Sequence, residues 1–190
     1  MRVAFKEWAV VIDALGRGEQ ILIFRKGGIA EDRGGFQVDH PEFLLFPTLF
    51  HQQRESVLSS AQERFDRIAP QFPPKSILRL EYFARVAEFR RLDSLSDAER
   101  LRGQHVWRDE VIAGRFEWGR ARNIFVLALR IYRLPQVVER PMAAAYGGCK
   151  SWIALDAGVA VDGAEPVLND ALFARKLGEF REKLAPVPAG

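Results

Sequence analysis

The sequence predicts an α+β fold, a single domain whose mixed, largely antiparallel or barrel-like sheet is flanked by helices. Three observations point there. In "SILRLEYFARVAEFRRL", Leu78, Leu80, Tyr82, Ala84 and Val86 alternate with Arg79, Glu81 and Arg85, the period of a long half-exposed strand. The apolar runs "QILIFRK", "EFLLFPT" and "NIFVLALRIYRL" have the length of strands. Helical periodicity falls between them at irregular intervals, without the strand–helix alternation of a doubly wound sheet.

In chain order, Phe5, Trp8, Ile12 and Leu15 recur at helical spacing and predict an amphipathic first helix, ended by "GRG" at residues 16–18. "QILIFRK" follows as a buried strand, then a Gly-rich turn and a short strand over residues 36–38. "EFLLFPT" is the next strand, and Pro47 marks an edge or a strand end because proline donates no ladder hydrogen bond. From His51 onward, Val57, Ala61, Phe65 and Ile68 share a helical face that Pro70, Pro73 and Pro74 terminate. After the long strand, Ser96 and Glu99 form an S-x-x-E capping box opening a short helix. "RDEVIAGRF" predicts another, and "NIFVLALRIYRL" a strand that stops before Pro135. "YGGCKSWIAL" is a turn into a last strand, and "VAVDGAEP" a loop. Asn169 caps a terminal helix whose face carries Leu172 or Phe173, Leu177, Phe180 and Leu184, followed by a loose "PVPAG" tail. Residues 1–163 are expected to form the main domain, with 164–190 packed on it.

A chain of 190 residues, 48% hydrophobic and 28% charged, can bury one substantial core. No apolar run reaches the length of a membrane span, and Lys6 and Glu7 interrupt any secretory signal. The single Cys149 has no internal disulfide partner, which points to a reducing, cytoplasmic compartment. A net charge of +3 is compatible with a nucleic-acid partner without requiring one.

The chemistry-bearing residues form no recognisable catalytic motif. His40, His51 and His105 lack metal-ligand spacing, so neither a metal nor another cofactor is expected. A metal-dependent nuclease would need acidic groups near a lysine; Asp13, Glu19, Lys26 and Glu31 are candidates, with Glu31, Lys26 and His51 as the catalytic set. Cys149 beside Lys150 has the setting of an activated thiol, but a lone cysteine is more often a small packed residue. The binding reading gathers more. Arg25 and Lys26 end a strand before Gly27 and Gly28, whose bare backbone can hold a phosphate oxygen. Tyr146, Gly147, Gly148, Lys150, Ser151 and Trp152 build a second such turn, with two aromatics able to stack on a base. Arg115, Arg120, Arg122, Arg130 and Arg133 add basic residues around a strand. Trp8, Trp107 and Trp118 are expected at the core. Phosphate is assigned to Arg25, Lys26 and Lys150, so charge reversal at Lys26 should weaken binding without unfolding the domain. A third reading makes the terminal helix a docking face for a protein partner.

The blocks "KEWAVVIDAL", "ILIFRKGGIAE", "FLLFPTLFHQ", "LRIYRLP" and "YGGCKSW" together resemble the domain-of-unknown-function 1802 family, over Lys6 to Trp152. That resemblance implies a role near restriction–modification or DNA defence, with any nuclease a separate protein. The order of elements is also similar to PUA-like and ASCH-like nucleic-acid-binding modules, an analogy of fold. It implies a cleft walled by Arg25, Lys26, His51, Gln52, Lys150 and Trp152.

Overall fold

The computed structural model describes residues 1–26, 38–148 and 150–186. The expected strand over residues 36–38 falls mostly outside the described residues, as does most of the "PVPAG" tail. Along the chain run β1 (Val3–Trp8), α1 (Ala9–Gly16), β2 (Leu22–Arg25), β3 (Glu42–Thr48), α2 (Ser59–Ile68), β4 (Ile77–Leu92), α3 (Leu95–Glu99), α4 (Asp109–Glu117), β5 (Ile124–Pro141), β6 (Trp152–Ala154), β7 (Glu165–Pro166) and α5 (Asp170–Lys183).

The chain opens as a strand. Phe5 and Trp8 belong to β1, and the helix begins only at Ala9. The competing pattern wins because β1 is hydrogen-bonded on both sides, parallel to β3 (Ala4↔Leu44) and antiparallel to β6 (Ala4↔Ile153). Both faces of β1 and β3 are covered. Phe5, Phe43 and Leu45 enter one hydrophobic cluster, while Ala4, Leu44 and Phe46 enter the other. Such double burial explains why "EFLLF" is continuously apolar rather than alternating. Pro47 stands at the end of β3, but β3 is an interior strand between β1 and β4.

The sheet runs β2-β5-β4-β3-β1-β6, with β7 on β5, and among the described residues only the β1–β3 pair is parallel. Two bulges in the β4–β5 ribbon alter what alternation alone predicts. Tyr82 pairs with Arg133 and Leu80 with Val138, so β5 carries extra residues there. Pro135 lies within that bulge, inside β5 rather than beyond its end, where the missing N–H interrupts no ladder. The bulge also moves Tyr82 and Ala84 to the cluster that holds Phe5, leaving Leu78 and Leu80 with Phe83 on the opposite face. The second, at Val86/Glu88, bends the other half of the ribbon.

The helices follow the same logic. Val57 precedes α2 and makes an isolated bridge to Trp107, while Ala61 and Phe65 are the buried residues of the helix. The short helix α3 starts one residue before the expected Ser96 cap: Ser94 occupies the capping position, and its hydroxyl meets that of Ser96 at 2.7 Å. Asn169 caps α5 as expected, its side-chain oxygen accepting from Leu172 N at 2.9 Å. Helix α5 lies on the domain's own core, with Phe180 fully buried and Phe173, Leu177 and Leu184 packed alongside.

Curling decides the shape. Strands β2 and β6 are the two ends of the sheet path, yet the Arg25 guanidinium donates to Ser151 Oγ at 3.0 Å. The sheet therefore wraps into a half-barrel whose terminal strands meet at one mouth.

Candidate functional site

At this mouth the inward face of β1 continues from Phe5 to Glu7, two residues on. Glu7 is 1% exposed. Its Oε1 accepts from Trp8 N at 2.7 Å, and its Oε2 lies 3.6 Å from Arg25 Nη1 without a hydrogen bond among the described residues. Arg25, at the end of β2, spreads its guanidinium over the Phe5 ring at 4.3 Å and reaches Ser151. A buried carboxylate, an aromatic face and a hydroxyl thus hold one cation in place. Arg25, just before the first turn singled out in the sequence, thereby meets Ser151 of the second.

A second guanidinium stands behind it. Arg115 of α4 lies between Trp8 (5.1 Å) and Trp107 (5.2 Å) and donates to the Phe24 carbonyl at 3.0 Å. Burial lowers its pKa to about 10, opposed by Glu7, so it stays charged at neutral pH. Thr48 Oγ1 donates to the Glu7 carbonyl at 3.1 Å. With its amide turned to suit its neighbours, buried Gln53 accepts from Trp8 Nε1 at 3.3 Å and donates to the Thr48 carbonyl at 3.2 Å. Trp107 is accordingly fully buried in the core and Trp8 lies at its edge, whereas Trp118 is 48% exposed instead of core.

Trp152 forms the outer aromatic wall. Half-buried, it sets edges against Phe5 (4.6 Å), Phe43 (5.1 Å) and His40 (5.3 Å). Lys150 is exposed two residues before it.

Other expected site residues are placed differently. Lys26 is turned toward backbone carbonyls. Its ammonium donates to the carbonyls of Phe116 (3.1 Å), Asn123 (2.7 Å) and Ala121, which uses all three of its N–H donors. Burial foremost, and then Arg91, lower its pKa. The same cage removes it from the proposed nuclease set, and charge reversal there would place a carboxylate against carbonyl oxygens and unsettle the fold. Tyr146 is not a stacking platform: it is buried, and its hydroxyl bonds Asp156. Arg130 is drawn beneath α5, 2.6 Å from Asp170 and over the Phe173 ring at 4.7 Å. Arg133 lies over Tyr82 at 5.0 Å. His51 and Gln52 are exposed on a 3₁₀ turn, and exposed Gly147 and Gly148 lead toward Lys150, with Gly148 at φ 80°. Gly27, Gly28, Glu31 and Cys149 lie outside the described residues. Among the described residues no group of three or more His, Cys, Asp and Glu side chains could hold a metal ion. None of their helices is long and apolar enough to cross a membrane.

The residues that sequence reasoning missed are Glu7, Thr48, Gln53 and the positioning role of Arg115. A strand reading of "VAFKEW" carries a signal for the first, since Phe5 and Glu7 then share a face.

His105 sits next to this cluster, 6% exposed, with its ring edge-on to Phe24 at 5.1 Å. Burial pushes its pKa down to about 4. Between pH ~6.5 and ~4 the unfolded chain takes a proton that the folded one refuses, so this group leaves stability intact above that window. Acid erodes stability by about 3 kcal/mol as pH falls through it. His105→Phe should flatten the difference between urea unfolding at pH 7 and at pH 4.5. An unchanged pH slope in the variant would remove His105 as the cause.

The family described as "Domain of unknown function (DUF1802)" matches residues 4–179, reaching into α5. No curated protein is significantly similar in sequence. Among solved structures, the ASCH protein of Zymomonas mobilis is 13% identical, with 93% of this chain and 92% of that chain covered, at a TM-score of 0.46. A serine-to-alanine variant of it gives 13% identity, 93% coverage of both chains and 0.47. A tyrosine-to-phenylalanine variant gives 14%, 93% and 95%, and 0.45.

Proposed function

The chain belongs to the DUF1802 family, and we propose that it is a nucleic-acid-binding module that takes its ligand at the mouth where β2 and β6 meet. One observation carries the reading. The Arg25–Ser151 hydrogen bond gathers a fixed guanidinium, a hydroxyl, the exposed Lys150 and the half-buried Trp152 at one place. Lys150 supplies a mobile charge for a phosphate, Arg25 and Ser151 supply polar contacts at the inner wall, and Trp152 supplies an aromatic edge for a base. Glu7 and Arg115 are positioning residues that hold Arg25 and the wall behind it. Nothing at the mouth bears on a restriction or defence role, or on a separate nuclease partner.

Lys150→Glu tests the assignment, because the side chain is exposed and the fold does not depend on it. At low salt, fluorescence anisotropy with a labelled 12-nucleotide single strand, DNA or RNA, should show affinity falling about tenfold. The log–log salt slope should shrink by about one. Equal affinity and equal slope in parent and variant would refute Lys150 as a phosphate ligand.

A further inference from the structure

A groove of about 350 Å³ opens beside the mouth, between β3, the segment before β4 and the turn that follows β5. Phe50 stands at its rim, 62% exposed, the most exposed large apolar side chain among the described residues. Phe72 contributes a second ring, and Lys6 and Lys75 are the charged residues of the lining; no acidic residue lines it among the described residues. Aromatic rings beside lysines are complementary to a ligand with flat apolar faces and a negative backbone. The groove borders the turn that precedes the mouth residues Lys150 and Ser151. Gly147 forms part of its wall, and the Lys6 ammonium donates to the Gly148 carbonyl at 2.9 Å, on the turn that leads to Lys150.

We infer that the groove is a second nucleotide subsite, where an unpaired base of a single strand stacks on Phe50 while Lys75 neutralises a phosphate. This inference rests on the proposed function and deepens it by naming the ligand as single-stranded, running from the mouth across the Gly147–Gly148 turn into the groove. A duplex keeps its bases stacked on each other and offers none to Phe50.

Its test compares Phe50→Ala, Lys75→Glu and Lys150→Glu on a 12-nucleotide single strand, a duplex of the same sequence, a dinucleotide and anionic phospholipid vesicles. Phe50 and Lys75 are exposed, so both groove variants should fold as the parent does. Phe50→Ala should weaken the 12-mer by about tenfold and leave the dinucleotide, which is too short to span both places, unchanged. Lys75→Glu should reduce the salt slope by about one. Full affinity of Phe50→Ala for the 12-mer, or equal parent affinity for duplex and single strand, overturns the inference. Loss in Lys150→Glu alone would then leave the mouth standing without the groove; loss in the groove variants alone would keep the groove and remove the mouth. Binding to vesicles but to no oligonucleotide overturns both.

Discussion

Glu7→Ala is expected to cost about 4 kcal/mol of folding stability, within the range for breaking a buried ion pair from one side. The substitution removes the carboxylate that faces Arg25 at 3.6 Å and whose field supports the charge of Arg115. The repulsion between those two half-buried guanidiniums is then uncompensated. The Trp8 amide also loses its acceptor at 2.7 Å. Glu7→Gln keeps a carbonyl oxygen for that amide and loses only the charge, so about half the penalty is expected. Guanidinium unfolding at neutral pH measures both, and urea with added sodium chloride adds a control. Salt screens exposed pairs but not enclosed ones, so it should rescue little. A loss below about 1 kcal/mol in Glu7→Ala would show that the carboxylate does not hold the mouth together. Where the variant still folds, its oligonucleotide affinity should also drop, because Arg25 is no longer held against Ser151.

Phe180→Ala should cost a similar amount, about 4 kcal/mol, from lost burial and the cavity left behind. Phe180 is fully buried on α5 and joins the same cluster as Phe5 and Trp107. The polar fastenings of the helix, among them Arg181 to Glu88 at 2.6 Å and Lys176 to the Glu19 carbonyl at 2.9 Å, are exposed and contribute little each. The apolar stripe therefore fastens α5. Deleting residues 164–190 also removes β7 from the edge of β5, and the shortened chain should lose cooperative unfolding. A deletion protein that unfolds at the parent's denaturant midpoint would return the helix to the role of a docking face for a partner. Its mass in solution would then show whether a second copy had been covering it.

These two sites differ in how legible they are. The α5 stripe is local: Asn169 starts the helix, the apolar spacing marks its buried side, and the strand patterns of β2, β3 and β4 are equally open to inspection. The mouth is not local. Phe5 and Trp8 fit a helical period as readily as a strand, and pairing with the distant β3 and β6 selects the strand. That choice turns Glu7 inward. Which face Leu80 and Tyr82 cover is likewise settled by a bulge in the opposing strand.

From the order of residues alone come the α+β class, most of the elements, and two basic, glycine-flanked turns as candidate sites. Three-dimensional packing assigns the work within them. Arg25 and Lys26 are adjacent cations, yet one guanidinium faces Glu7 and Ser151 while the neighbouring ammonium is sealed by carbonyls from α4 and the loop after it. Successive side chains of an extended chain point to opposite sides, and what awaits each comes from elsewhere in the chain, Ser151 lying 126 residues from Arg25 and Phe116 lying 90 from Lys26. Composition can place charge in a turn, but only the closing of the sheet determines which charge is left for a ligand.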